Sequence, residues 1–189
     1  MMSAPMTAEV KGKMMINQFK PTWMIPAIYN ITAAQLREKG IKAVFADLDN
    51  TLIAWDNPDG TPELKKWLHG LQDAGIPLIV VSNNSEKRIA KAVAALDLPF
   101  VSRALKPLPF GIQKARRNLG LRQNEVIMVG DQYITDMWAA HTAGVQSVLV
   151  KPLVKTDAWN TRINRFFERF IKVRLAHRYP EKHFQEELK

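Results

Sequence analysis

The segment FADLDNTL, residues 45 to 52, ends an apolar run with two aspartates, Asp47 and Asp49, separated by one leucine. Two carboxylates that close can divide nucleophilic and acid–base work between them, or supply oxygen ligands to a hard divalent cation. The plain alternative is an acidic loop that caps the next element. Three further segments bear on the choice. VVSNN (80 to 84) offers the hydroxyl of Ser82 and the amides of Asn83 and Asn84, ALKP (104 to 107) places Lys106 in a short loop before a helix, and VGDQYITD (129 to 136) brings Asp131 and Asp136. Taken singly, Ser82 is an ordinary helix cap, Lys106 a solvated lysine and Asp136 a charge at a helix start. Taken together they describe one site, because each group follows an apolar run.

The elements that must position these groups are legible in the hydropathy pattern. IKAVFAD (41 to 47), IPLIVVS (76 to 82), EVIMVGD (125 to 131) and VQSVLV (145 to 150) read as strands buried on both faces, and LPFVSRA (98 to 104) as a weaker fifth. The stretches 61 to 75, 85 to 98, 108 to 120 and 134 to 144 have helical spacing, and the first opens with Thr61, Pro62 and Glu63, a good cap sequence. Strand alternating with helix predicts an α/β fold: a central parallel sheet flanked by helices on both faces, joined by right-handed crossovers. Such sheets bind ligands beyond the carboxyl ends of their strands, where the strand order reverses. Asp47, Ser82 and Asp131 are therefore expected around one crevice.

Composition narrows the class of protein. At 189 residues, with 47% hydrophobic residues, five Trp and eight Phe, the chain is expected to form one domain of about 110 to 150 residues with extensions, and it is too apolar for a disordered one. No uninterrupted apolar stretch reaches the ~18 residues of a spanning helix, and the beginning lacks the pattern of a secretory leader. The absence of cysteine excludes disulfides and thiolate metal sites and fits a reducing cytoplasm. The net charge of +9 is uneven, with +3 over residues 1–40, +1 over 41–150 and +5 over 151–189. This divides the chain into an N-terminal extension (1–40), a nearly neutral catalytic core (41–150) and a basic C-terminal helical extension (151–189), with the basic ends facing an acidic partner.

The motifs DLDNT, SNN, KP and GDQYITD, in that order within residues 41–150, resemble the haloacid dehalogenase (HAD) superfamily of aspartate-nucleophile phosphatases. The longer run GIKAVFADLDNTLIAWD, the preceding MIPAIYNIT and the lack of large insertions are similar to subfamily IIIA and, within it, the YqeG family, whose relatives include phosphatidylglycerophosphate phosphatases. The resemblance implies a Rossmann-like HAD fold and a mechanism. Asp47 attacks phosphorus to give an aspartyl-phosphate, while Asp49 protonates the departing oxygen and then activates the hydrolytic water. An anionic nucleophile meets an anionic ester only if the charge is offset, so Mg2+ is expected on Asp47, Asp131 and the main-chain carbonyl of Asp49. Ser82, Asn83 and Lys106 would bind the phosphoryl oxygens, with Lys106 neutralising charge as the transition state forms. Thr51 would hold the turn after the acids, and Asp136 would orient Lys106 or the waters of the metal. His69, His141, His177 and His183 are too scattered for a metal site, and no Walker loop or dinucleotide glycine fingerprint occurs.

Helices and strands use most of the chain between Asp49 and Ser82 and between Ser82 and Lys106, so no large cap domain fits. An open crevice suits a substrate that brings its own cover, such as a macromolecule, a membrane or a protein partner. From Thr156 to about Ala176 a long helix is expected, with Trp159, Ile163, Phe166, Phe167, Phe170 and Ile171 on one side and Arg162, Arg165, Arg169 and Lys172 on the adjacent one. That amphipathic pattern fits docking on the core, or lying on anionic lipid at the inner face of the membrane. The proline-broken PTWMIPAIY, with Trp23 and Tyr29, reads as a strap over the core or as part of the same interface. The expected function is hydrolysis of a phosphomonoester, with a phospholipid phosphate such as phosphatidylglycerophosphate as the leading substrate. The alternatives are a nucleotide or nucleic-acid terminal phosphatase and a HAD-fold binding protein without catalysis.

Overall fold

Val, Ile and Ala fill the central strands of the protein because those strands meet helices on both faces. The computed structural model describes residues 16–54, 60–154 and 162–189, with side chains of the last segment described from 167 onward. Six strands form one parallel sheet: β1 (Trp23–Ile25), β2 (Ala43–Ala46), β3 (Leu78–Val81), β4 (Phe100–Val101), β5 (Val126–Gly130) and β6 (Gln146–Val150). Their spatial order is β1-β6-β5-β2-β3-β4. From β2 the chain runs outward through β3 to β4, then crosses to β5 on the other side of β2, so the order reverses between β2 and β5. The register pairs Ala46 with Val129 and with Val80, which brings the ends of β2, β5 and β3 level.

Alternation of side chains sorts the core into two layers. Val44 and Ala46 of β2 pack with helices α1 (Ala33–Glu38), α2 (Pro62–Asp73) and α3 (Glu86–Val93) through Leu36, Leu64, Trp67, Leu71, Ile89 and Val93. Ala43 and Phe45 point to the opposite face, against α4 (Phe110–Asn118) and α5 (Trp138–Ala143) through Ile112, Ala115, Ala139, Ala140 and Ala143. Gly111 lets α4 sit directly on the loop after β4, since a Cβ there would fall 2.4 Å from that of Ala104. The described residues between Asp49 and Ser82 belong to the turn after β2, α2 and β3, and those between Ser82 and Lys106 to α3, β4 and their loops, so neither stretch carries an inserted cap.

The strand set extends beyond the pattern. Residues 23–25 lie between Pro21 and Pro26 and form a sixth strand at the sheet edge, where proline is tolerated. Thr22 and Ser147 lock it to β6 by reciprocal bonds, Thr22 N to Ser147 O at 3.0 Å and Ser147 N to Thr22 Oγ1 at 3.1 Å. Trp23 is buried in the core and Tyr29 is partly exposed, so the segment works as edge strand and strap. The outer side of β1 is met by the C-terminal tail: Lys182 Nζ donates to Thr22 O at 2.6 Å, Gln185 N donates to Met24 O at 2.8 Å, and Leu188 is buried in the core.

The long helix α6 is described over Arg162–Arg178; the expected start, in residues 155–161 with Trp159, lies outside the described residues, as do the side chains of Arg162, Ile163, Arg165 and Phe166. Its described face is split. Ile171 and Leu175 are buried against Tyr133, Met137 and Leu149, whereas Phe167, Phe170 and Val173 are 54%, 56% and 63% exposed.

Candidate active site

Each chemical group stands where a strand of the sheet stops. Asp47 follows β2, Ser82 follows β3, Lys106 lies in the loop after β4, and Asp131 follows β5, all beside the point where the strand order reverses. Asp47 is anchored by its own backbone, its N–H donating to Val129 O at 2.9 Å. The next turn is tight, with Asn50 at φ 61° and Asn50 N bonded to Ile53 O at 2.9 Å.

Lys106 is the centre of the cluster. Its side chain is 2% exposed, and Nζ donates to Asp47 Oδ1 at 2.6 Å and to Asp136 Oδ1 at 2.7 Å. Burial works against its charge, but Asp136 and Asp47 outweigh burial and hold the ammonium above its ordinary range. The other oxygen of Asp136 accepts from Gln132 N at 3.1 Å. A π-helical turn, Tyr133–Met137, carries Asp136 back over the end of β5. Gly130 makes room for it, because a Cβ at that position would lie 2.3 Å from the Asp136 carboxyl carbon.

Asp47, Asp131 and Asp136 can bring one carboxylate oxygen each within 4.8 Å of one another. Three carboxylates around one lysine leave excess negative charge in a space with little water. Burial raises Asp47 to about 6, with Asp136 and Asp49 adding to the rise and Lys106 opposing it. Burial also raises Asp131 to about 8, helped by Asp136, Asp47 and Glu168. An all-oxygen donor set that resists carrying its own charge fits a hard divalent cation. Thr51 Oγ1 donates to Asp131 Oδ1 at 3.4 Å, so Thr51 touches an acid of the cluster as well as its own turn.

The remaining expected residues take different positions. The Asp49 side chain lies outside the carboxylate cluster: Asn84 Nδ2 donates to its Oδ2 at 2.7 Å, and Arg88 Nη2 to Oδ1 and Oδ2 at 3.0 and 3.1 Å. Asn83 spends its carboxamide on the Lys106 backbone, with Lys106 N donating to Oδ1 at 2.7 Å and Nδ2 donating to Lys106 O at 2.8 Å. It braces the lysine loop instead of turning its side chain toward a phosphate. Ser82 is buried, and its Oγ accepts from Asn84 N at 3.2 Å, which leaves the hydroxyl proton to donate. Sequence reasoning missed Arg88. A signal existed, since a cation in the first turn of α3 opposes the helix dipole and calls for a nearby anion.

Comparison with known proteins decides the family. Residues 11–144 match the haloacid dehalogenase-like hydrolase family. The chain belongs to it. It is 37% identical to the probable phosphatase YqeG of Bacillus subtilis over 81% of this chain and 89% of that one. It is 30% identical to the chloroplastic phosphatidylglycerophosphate phosphatase 1 of Chlamydomonas reinhardtii over 70% of this chain and 53% of that one, so it spans about half of that relative. A solved structure of a predicted phosphoglycolate phosphatase from Haemophilus somnus shares 27% identity over 48% of this chain and 44% of that one, with a TM-score of 0.43. Within the haloacid dehalogenase-like hydrolases, the chain is a phosphoric monoester hydrolase by this kinship.

Proposed function

We propose that the chain is a magnesium-dependent phosphomonoesterase working through an aspartyl-phosphate on Asp47, with a phospholipid phosphate such as phosphatidylglycerophosphate as its substrate. The observation that carries this reading is the buried Lys106, seated 2.6 Å from the Asp47 carboxylate among surplus acids. A lysine there serves a nucleophile that must approach an anion.

Asp47, Asp131 and the main-chain carbonyl of Asp49 would hold Mg2+, which when bound neutralises phosphoryl and carboxylate charge. Asp47 Oδ bonds to phosphorus as the ester oxygen departs. Asp49 gives that oxygen a proton, then takes one from the water that cleaves the aspartyl-phosphate. Lys106 and the Ser82 hydroxyl hold the phosphoryl oxygens, and Asp136 keeps Lys106 in place. Asp49 must first turn from Arg88 and Asn84, where it rests.

Support for a lipid phosphate comes from kinship and surface. Phosphatidylglycerophosphate phosphatases of Chlamydomonas and Arabidopsis are among the relatives. Among the described residues no helix is long and apolar enough to cross a membrane, yet Phe170 and Val173 stand exposed beside Arg169, Lys172 and Arg174 on α6. Leu105, Leu108 and Phe110, around the catalytic lysine, are exposed as well. An apolar surface with basic neighbours next to an uncapped crevice suits the inner, anionic face of a membrane.

The test is phosphate release from a panel of lipid phosphates, nucleotides and 5′-phosphorylated oligonucleotides. We expect the highest kcat/KM on the lipid phosphate, and loss of activity with a chelator or with Asp47→Asn. Activity surviving Asp47→Asn would remove the nucleophile assignment, and preference for nucleotides would move the substrate to the alternative polyanion.

A further inference from the structure

The structure assigns Arg88 a specificity role: it reads a second anionic group, a phosphodiester on the leaving alcohol of the substrate, and in doing so frees Asp49 to exchange protons. This rests on the phosphomonoesterase reading, with Asp49 as the acid and base.

The geometry at rest is a latch. Both oxygens of Asp49 are spent on donors, Arg88 and Asn84, at distances of 2.7 to 3.1 Å. A carboxyl group whose oxygens face Arg88 and Asn84 cannot hand a proton to a departing alkoxide, so it must turn before catalysis. The latch is weak, because Arg88 and Asp49 are 58% and 38% exposed and ion pairs in water hold loosely. A phosphate diester matches the guanidinium fork as well as a carboxylate does. It therefore competes for Arg88 on even terms.

Lys106 and Ser82, both buried, lie on the phosphoryl side of the site, whereas Arg88 projects from the first turn of α3 at the solvent side of Asp49. Asp49 works on the leaving oxygen, so the side of Asp49 that Arg88 occupies is the side to which the leaving alcohol extends. The loop after β4 borders the same edge, the main-chain N–H of the exposed Arg103 donating to Asn84 O at 3.0 Å. Substrates whose alcohol carries a phosphodiester a few bonds from the reacting ester fill this arrangement, whether the diester belongs to a lipid headgroup or to a nucleic-acid end.

The experiment compares kcat/KM of the wild type, Arg88→Ala and Arg88→Lys in the full chain on four probes. These are 4-nitrophenyl phosphate, glycerophosphoglycerol phosphate, its diacyl form in vesicles, and a 5′-phosphorylated oligothymidylate. The expected result is a fall of about tenfold in the ratio of diester-bearing to aryl substrate in Arg88→Ala, seen in both KM and kcat, with partial recovery in Arg88→Lys. The diacyl and oligonucleotide arms show which source the wild type prefers. A ratio held constant across the variants, whether all rates fall together or none changes, overturns the role of Arg88 while leaving the phosphatase reading standing. A wild type that hydrolyses none of the four overturns both.

Discussion

Lys106 ties the site together because a single ammonium satisfies two carboxylates that repel one another, Asp47 and Asp136. Gly130 is the position on which that arrangement depends. In Gly130→Ala the new Cβ must displace Asp136, Lys106 loses one of its holders, and kcat is expected to fall roughly a hundredfold, the usual scale for one misplaced electrostatic contact. Steady-state kinetics check this, and a lowered thermal midpoint should accompany it. The positions of Asp47, Ser82, Lys106 and Asp131 were legible because strand ends are legible: an apolar run that stops at a polar group marks the carboxyl end of a buried strand. The partners of those groups were not. Whether Asn83 faces a phosphate or clasps the lysine loop depends on backbone turns such as Arg103 at φ 46° and Leu105 at φ 58°, conformations that these residue types do not announce.

At the scale of elements, the four main strands follow from unbroken apolar runs and the helices between them from periodicity, whereas β1 and α1 follow from neither. A three-residue strand between prolines shows no period, and α1 covers six residues, too few for a face to repeat. The sign of α1 lay in its cap, where Thr32 and Gln35 bond each other's backbone at 3.1 and 3.2 Å. Helix ends were overestimated where chains leave the helix early, as α3 does at Val93 within the apolar stretch to Leu98. The foot of β5 carries a test of electrostatics. Glu125 is pulled down to about 2 by its bonds to Arg122 and Lys42. Its folded pKa lies below the ordinary 4.5, so this contribution to stability is complete above that value and disappears as pH falls toward 2. Glu125→Gln should therefore flatten the dependence of the denaturant midpoint on pH across that acid range, and a midpoint series that keeps its slope would show that other groups set it.

Across the whole molecule, the exposed Phe110, Phe167 and Phe170 lie on α4 and α6, while Trp67 is buried in the opposite layer. The periodic stripe on α6 was visible in sequence, but one stripe cannot reveal that Ile171 and Leu175 turn inward while Phe170 and Val173 turn out, since that division is made by the surface on which the helix lands. Replacing Phe170 and Val173 by serine should lower co-sedimentation with anionic vesicles severalfold while leaving turnover of a soluble aryl phosphate in place. Raising ionic strength from 0.01 to 1 M shortens electrostatic reach from about 30 to about 3 Å and should weaken the same binding. Retention of the variant on vesicles at low salt would assign the contact to charge alone.

The bond from Gln185 to Met24 and that from Lys182 to Thr22 join residues at opposite ends of the polypeptide. β1 and the segment 182–185 must therefore fray or hold as one cooperative unit. Amide exchange in β1 and in the final residues should rise and fall in step, and the β1 edge of the sheet stays sealed only while the two remain clasped.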